Sequence, residues 1–304
     1  MVELSIEKCI GNTPLARLQN IERAYGAVAN VFAKLENVNP GGSIKDRVAK
    51  SIIDDAEKRG VLKNGGTVYE ATSGNTGVGL ALVAAARGYR AVIVMPDTMS
   101  VERQKLMKAY GAEVVLTNGA LGMQGAVEKA AELVKATPNG FLASQFDNPA
   151  NVQAHYRGTA QEIWQQTQGN IDIFVAGVGT GGTLTGVGKF LKEQNPKIQV
   201  VAVEPLRSPL LSKGVAGAHA IQGIGANFIP SILDTSLIDE IVTVSDERAI
   251  QMAKELGKTE GAFVGISSGA NVAAAIELAL REENRGKNIV TVFPDSGDRY
   301  LSIY

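Results

Sequence analysis

One lysine stands where backbone electrostatics disfavour a cation. In the stretch Asn39-Pro40-Gly41-Gly42-Ser43-Ile44-Lys45-Asp46-Arg47, a turn of proline and glycine runs directly into an amphipathic pattern. Ile44, Val48, Ile52, Ile53 and Ala56 recur at helical spacing, and Gly60 is placed to end the helix. Ser43 and Asp46 fit an S-x-x-D capping box, which makes Ser43 the N-cap and Lys45 the second helical residue. Its ammonium then meets the positive end of the helix dipole. Most lysines at such starts simply point into water. The chemical alternative is an amine whose charged form is destabilised and which therefore forms an imine with a carbonyl compound.

Three strand ends open into loops of small residues that start helices: Ser73-Gly74-Asn75-Thr76-Gly77, Gly177-Val178-Gly179-Thr180-Gly181-Gly182-Thr183, and Ser267-Ser268-Gly269. In open α/β sheets ligands bind beyond the carboxyl ends of strands, where helix N-termini offer free N–H donors. Any one of these loops is explained as a tight turn; three together, rich in hydroxyls, point to a composite site. The second satisfies G-x-G-x-x-G, and Glu204 ends the next strand where a ribose-binding acid would stand, so an NAD-dependent oxidoreductase is a rival reading. Against it, Thr180 and Thr183 add donors suited to a terminal phosphate, which carries about two negative charges at neutral pH. The NAD reading also leaves Lys45 and the Ser73–Gly77 loop idle. A phosphate cradle together with a reactive lysine points to pyridoxal 5′-phosphate held as a Schiff base on Lys45.

Other chemistries are thinly supplied. The 304 residues contain two histidines, His155 and His219, and one cysteine, Cys9, so a His/Cys zinc site is not expected and no internal disulfide can form. G-x-S-x-G and the P-loop pattern are absent, His155 reads as capping or lining a helix surface, and Cys9 as incidental. A net charge of −1 without basic runs argues against nucleic acid and anionic membranes as partners. The opening residues lack a basic-then-apolar leader and no apolar run is long enough for a membrane span, so the expected location is the cytoplasm.

The elements that must position these residues alternate. Strands are expected at Val31–Glu36, Thr67–Ala71, Ala91–Met95, Glu113–Thr117, Ile171–Ala176, Gln199–Glu204, Glu240–Val244, Ala262–Ile266 and Asn288–Phe293, with helices between most of them. Continuously apolar runs such as AVIVM indicate strands covered on both faces. The class is α/β, with two open, twisted, mostly parallel sheets and flanking helices. Composition and length place the division near NPAN, giving an N-terminal domain 1–147 and a C-terminal domain 148–304, with the first residues packing on the latter.

The ordered set NPGGSIKDR, TSGNTG, GVGTGGT, IQGIGANFIP, GISSGAN and FPDSGDRYLS resembles the cysteine synthase (O-acetylserine sulfhydrylase) family. GNTPLARL at 11–18, MPDTMSVERQKLMKAYGAEVVLT at 95–117 and QFDNPAN at 145–151 extend the likeness over nearly the whole chain. It implies a fold-type II, tryptophan synthase β-like pyridoxal-phosphate enzyme. The resemblance also implies residue roles. Lys45 carries the cofactor and moves the substrate Cα proton, and Asn75 bonds the cofactor's 3′ oxygen. Thr72, Ser73, Asn75, Thr76 and Gln145 grip the substrate carboxylate, and Gly223 lies near its amine. Gly179, Thr180, Gly181, Gly182 and Thr183 form the phosphate cradle, and Ser267 faces the pyridine nitrogen. The implied reaction is β-replacement of acetate in O-acetyl-L-serine by sulfide through an α-aminoacrylate. Relatives acting as cystathionine β-synthases or O-phosphoserine sulfhydrylases share the scaffold. The resemblance further implies a homodimer that takes the C-terminal tail of serine acetyltransferase as a partner.

Overall fold

The computed structural model describes residues 5–99 and 101–304. Its strands are β1 (Leu15–Arg17), β2 (Asn30–Leu35), β3 (Thr67–Ala71), β4 (Arg90–Pro96), β5 (Glu113–Thr117), β6 (Gly140–Leu142), β7 (Ile173–Gly177), β8 (Gln199–Pro205), β9 (Glu240–Val244) and β10 (Asn288–Phe293). The helices are α1 (Gln19–Tyr25), α2 (Lys45–Lys58), α3 (Asn75–Arg87), α4 (Val101–Ala109), α5 (Gly122–Ala136), α6 (Pro149–Ala154), α7 (Ala160–Gln166), α8 (Gly182–Gln194), α9 (Leu210–Lys213), α10 (Asp246–Thr259) and α11 (Ile266–Ala279). The α/β class with parallel-rich sheets is the architecture expected from the sequence.

The chain forms two compact units. Among the described residues, one comprises 5–11, 39–99 and 101–154, and the other 12–38 and 155–304. The first contains a four-stranded sheet in the order β5-β4-β3-β6, parallel throughout, with Thr67 opposite Arg90 and Gly140. Val48, Ile52, Ile53, Leu80, Val83, Ile93 and Met95 build its core, and the fully buried face of α2 supplies much of it. The second unit contains a six-stranded sheet in the order β1-β2-β10-β7-β8-β9, in which only the β1–β2 pair is antiparallel.

Strands β1 and β6 are three residues each, too short to show a period of two, and the sequence pattern does not reveal them. The expected strand Ala262–Ile266 does not form. Val264 makes a lone antiparallel bridge to Ser296, and Ile266 opens α11. Thirteen residues of that helix are buried. Residues 262–265 join no ladder beyond that bridge, and a short apolar run reads as a strand in the sequence whether or not a neighbouring strand is there to pair with it.

Candidate active site

Both sheets reverse their strand order once, and several candidate residues follow strands at those reversals: Thr72–Thr76 after β3, Gln145 after β6 and Gly179–Thr183 after β7. In the first unit the chain runs β3 to β4 to β5 outward, then crosses to place β6 on the other side of β3. The crevice beyond the carboxyl ends of β3 and β6 is the binding position that such a sheet creates. Thr72, Ser73, Asn75 and Thr76 follow β3, and Gln145 follows β6. Thr76 Oγ1 donates to Gln145 Oε1 at 2.5 Å, joining two positions that lie far apart in sequence. Asn75 is the first residue of α3. Thr72 Oγ1 accepts the Gly74 N–H at 3.1 Å, and Arg103 on α4 donates to the Ser73 carbonyl at 3.0 Å. The arginine clamp escaped the sequence reading, which had no signal pointing from α4 back to this loop.

Lys45 opens α2, one position earlier in the helix than the capping box implied. Ser43 Oγ accepts the N–H of Lys45 at 3.2 Å, whereas Asp46 turns back to the N–H of Gly41 at 2.5 Å. The cap is therefore shifted: Ile44 takes the N-cap position with helical dihedrals, and Asp46 fastens the Pro40–Gly42 turn. Gly79 lets α3 approach this point, since a Cβ there would lie 2.9 Å from the Lys45 carbonyl oxygen. Glycine at that position is what keeps Lys45 close to α3.

Glu70, also overlooked in the sequence, is a carboxylate on β3 that is only 3% exposed. It accepts the N–H groups of Ser144 (2.8 Å) and Gln145 (3.4 Å). Burial pushes its carboxyl up to about 7, against the opposing pull of those N–H groups. The folded state thus binds this proton more tightly than the unfolded chain does. The associated stability is complete below about 4.5 and is lost as pH rises through about 7. It amounts to at most about 3 kcal/mol. Thermal unfolding should show a fall in midpoint between pH 5 and 8 that is smaller in Glu70→Gln; equal slopes would show that Glu70 is not the titrating group.

In the second unit β7, β8 and β9 run outward and the chain returns to place β10 on the other side of β7. Gly177, at the end of β7, leads into Gly179–Thr183 and the N-terminus of α8, whose first-turn N–H groups have no intrahelical acceptor. Asn271 on α11 ties this reversal together, accepting the Gly177 N–H at 2.8 Å and donating to the Val292 carbonyl at 2.9 Å. Gly179 packs on the loop of Gly223, where a Cβ would lie 2.3 Å from the Gly223 carbonyl oxygen. Ser267 is buried in the first turn of α11, with its Oγ 3.8 Å from where a Cβ of Gly223 would stand.

His155 is not on a helix surface. It is fully buried in a π-helical turn, His155–Thr159, with Nδ1 3.0 Å from Thr159 Oγ1 and Nε2 3.3 Å from Thr183 Oγ1. The extra residue in a π turn rotates the side chain off the face that a regular helix would give it, and no local sequence pattern signals this. Glu204 is also committed elsewhere: it accepts the N–H groups of Leu211 (2.7 Å) and Ser212 (3.0 Å), so the loop after β8 occupies the acid that an NAD ribose would require.

A turn closed by a neighbouring carbonyl, flanked by two threonines and opening a helix, suits a phosphate monoester, and the first unit supplies an amine at a helix start. The chain belongs to the pyridoxal-phosphate dependent enzyme family, whose profile matches residues 6–295. Pyridoxal 5′-phosphate is therefore its cofactor, and the dinucleotide reading falls. Among known proteins, a cysteine synthase from Staphylococcus aureus is 52% identical over 299 residues, covering 98% of this chain and 95% of that protein. The crystal structure of a cysteine synthase from Entamoeba histolytica matches with a TM-score of 0.97 at 45% identity, covering 100% of this chain and 91% of that one. An O-acetylserine-dependent cystathionine β-synthase from Helicobacter pylori matches with a TM-score of 0.91 at 40% identity, covering 99% of this chain and 98% of that one. Among the described residues no helix is long and apolar enough to cross a membrane.

Proposed function

We propose that this enzyme is a cysteine synthase, converting O-acetyl-L-serine and sulfide to L-cysteine and acetate. The observation that carries the reading is the likeness, 52% identical over 98% of the chain, to relatives that bear that name. Bound pyridoxal phosphate supplies the electron sink that lets the substrate Cα–H ionise and its β-substituent leave. Lys45 would hold the cofactor covalently, and its amine would take and return the substrate Cα proton. Asn75, the first residue of α3, would bond the cofactor's 3′ oxygen. Thr72, Ser73, Asn75, Thr76 and Gln145 hold the substrate carboxylate; the Thr76–Gln145 bond supports this by fixing two of them relative to each other. Gly179, Thr180, Gly181, Gly182 and Thr183 hold the phosphate, with His155 orienting the Thr183 hydroxyl. The backbone at Gly223 lies near the substrate amine. A homodimer in the cytoplasm, engaging the C-terminal tail of serine acetyltransferase, completes the proposal.

Ser267 supports elimination over transamination. With the cofactor bound, Ser267 would offer its pyridine nitrogen a neutral hydroxyl rather than a carboxylate, chemistry that would favour departure of a β-substituent over transamination. Ser267→Asp, which would favour a protonated ring, should shift the cofactor's visible absorbance and lower β-replacement kcat by about tenfold or more. Unchanged spectra and kinetics would contradict the electronic argument.

A second reading, O-acetylserine-dependent cystathionine β-synthase activity, is favoured by the Helicobacter pylori neighbour. O-phosphoserine as donor is disfavoured, because residues 220–230 hold no arginine and Arg207 is largely exposed beside Asp246. Product analysis with O-acetylserine, O-phosphoserine or serine, each with sulfide or homocysteine, decides among these. Cystathionine as the dominant product would replace the cysteine synthase reading.

A further inference from the structure

Glu70 is a buried carboxylate to which no step of turnover has been assigned, yet it holds the loop that carries Gln145. Ser144 adopts φ +53°, a left-handed conformation that a residue with a Cβ keeps only when its neighbours enforce it. The carbonyls around this turn are secured by amide side chains: Asn148 Nδ2 donates to Ala143 O at 3.0 Å, and Asn151 Nδ2 donates to Gln145 O at 2.8 Å. The N–H groups of Ser144 and Gln145 both go to Glu70. From there the Gln145 side chain reaches Thr76, so a single carboxylate sits behind two proposed contacts to the substrate carboxylate.

We propose that Glu70 is a positioning residue for substrate recognition: its ionised form locks the Ser144–Gln145 turn, and its protonation releases one of the two N–H groups and loosens the carboxylate site. An ionised carboxylate accepts at both oxygens, whereas a protonated one turns a donor toward one N–H. The inference rests on the reading of Thr76 and Gln145 as carboxylate contacts. Its titration near neutral pH follows from burial, opposed by the N–H groups of Gln145 and Ser144 and by the Gln145 side chain, and reinforced by repulsion from Asp147 in the same loop. The elements packed on β3 are β4, β6, α3 and α5. Strand β6 is uncharged; Arg90 of β4 pairs with Glu113, and Arg87 at the far end of α3 is held by Glu7, Asp54 and Glu57. On α5, Glu128, Glu132 and Lys135 are exposed and Lys129 pairs with Glu132.

The test uses holoenzyme, wild type and Glu70→Gln, with kcat and KM for O-acetylserine measured from pH 6 to 9. Glutamine has the shape of the protonated carboxyl and cannot ionise. The variant should show a KM about tenfold above wild type at pH 8, the two converging at pH 6, with kcat and the cofactor's visible absorbance little changed. Comparison at each pH removes the substrate amine's own titration. A variant with the wild-type KM profile overturns the inference. Amide hydrogen exchange of the wild type, which needs neither substrate nor a folded variant, should show protection at Ser144 and Gln145 that rises from pH 6 to 8 relative to the core amides of β3, whose protection follows the global stability. Flat protection overturns the inference even if Glu70→Gln fails to fold. Lack of turnover by the wild type with O-acetylserine and sulfide would instead overturn the functional reading, and the exchange result would stand apart from it.

Discussion

Lys45→Ala should lose turnover by about 10⁴-fold while the protein still folds. The substitution falls at the first residue of α2, where alanine is the best helix former and removal of a cation from the positive end of the dipole relieves about 0.5 kcal/mol. The hydrophobic face of the helix, Val48, Ile52, Ile53 and Ala56, is untouched. Thermal unfolding of the cofactor-free protein should therefore shift by no more than about 2 °C. Borohydride reduction followed by peptide mass analysis should place the cofactor label on Lys45 in the wild type and nowhere in the variant. Turnover that survives the substitution would remove Lys45 from its proposed role, and a large loss of stability would mean that the residue is structural.

Gly179→Ala should have the second largest effect, and for a steric reason. The added Cβ would lie 2.3 Å from the carbonyl oxygen of Gly223, a backbone atom that cannot swing aside as a side chain can. About 1 Å of main-chain movement is needed to reach ordinary contact, and such overpacking costs on the order of 1–3 kcal/mol. The displacement moves the proposed phosphate turn and the Gly223 loop together. Cofactor affinity, measured by fluorescence titration of the cofactor-free protein, should fall by at least about tenfold. Gly257→Ala on α10 is the control, because the nearest atom to its new Cβ is the Ala262 carbonyl oxygen at 3.9 Å. That variant should match or slightly exceed wild-type stability, as alanine in a helix usually does. Equal cofactor affinity in both variants would show that the close approach at Gly179 has no part in binding.

Local chemistry was legible before any tertiary structure was considered. Lys45 at a helix start, the two small-residue turns after β3 and β7 and the glycine helix stops depend on neighbours within a few residues, where capping and period decide the backbone; the third such run, Ser267–Gly269, follows no strand and lies within α11. The alternation of apolar runs with amphipathic segments likewise defined the α/β class and most strands. What the folded chain decided lies at longer range. Gln145 meets Thr76 only because the crossover from β5 puts β6 beside β3. Asn271 spans the ends of β7 and β10 for the same reason in the other sheet. The burial of His155 depends on a single π turn, and the neutral-range titration of Glu70 on the desolvation of a sheet interior. Short-range periodicity carries no information about which strand ends become neighbours, or about how much water remains around a carboxylate once they do. Those two quantities belong to the assembled sheets, one in each unit, and not to any stretch of the chain alone.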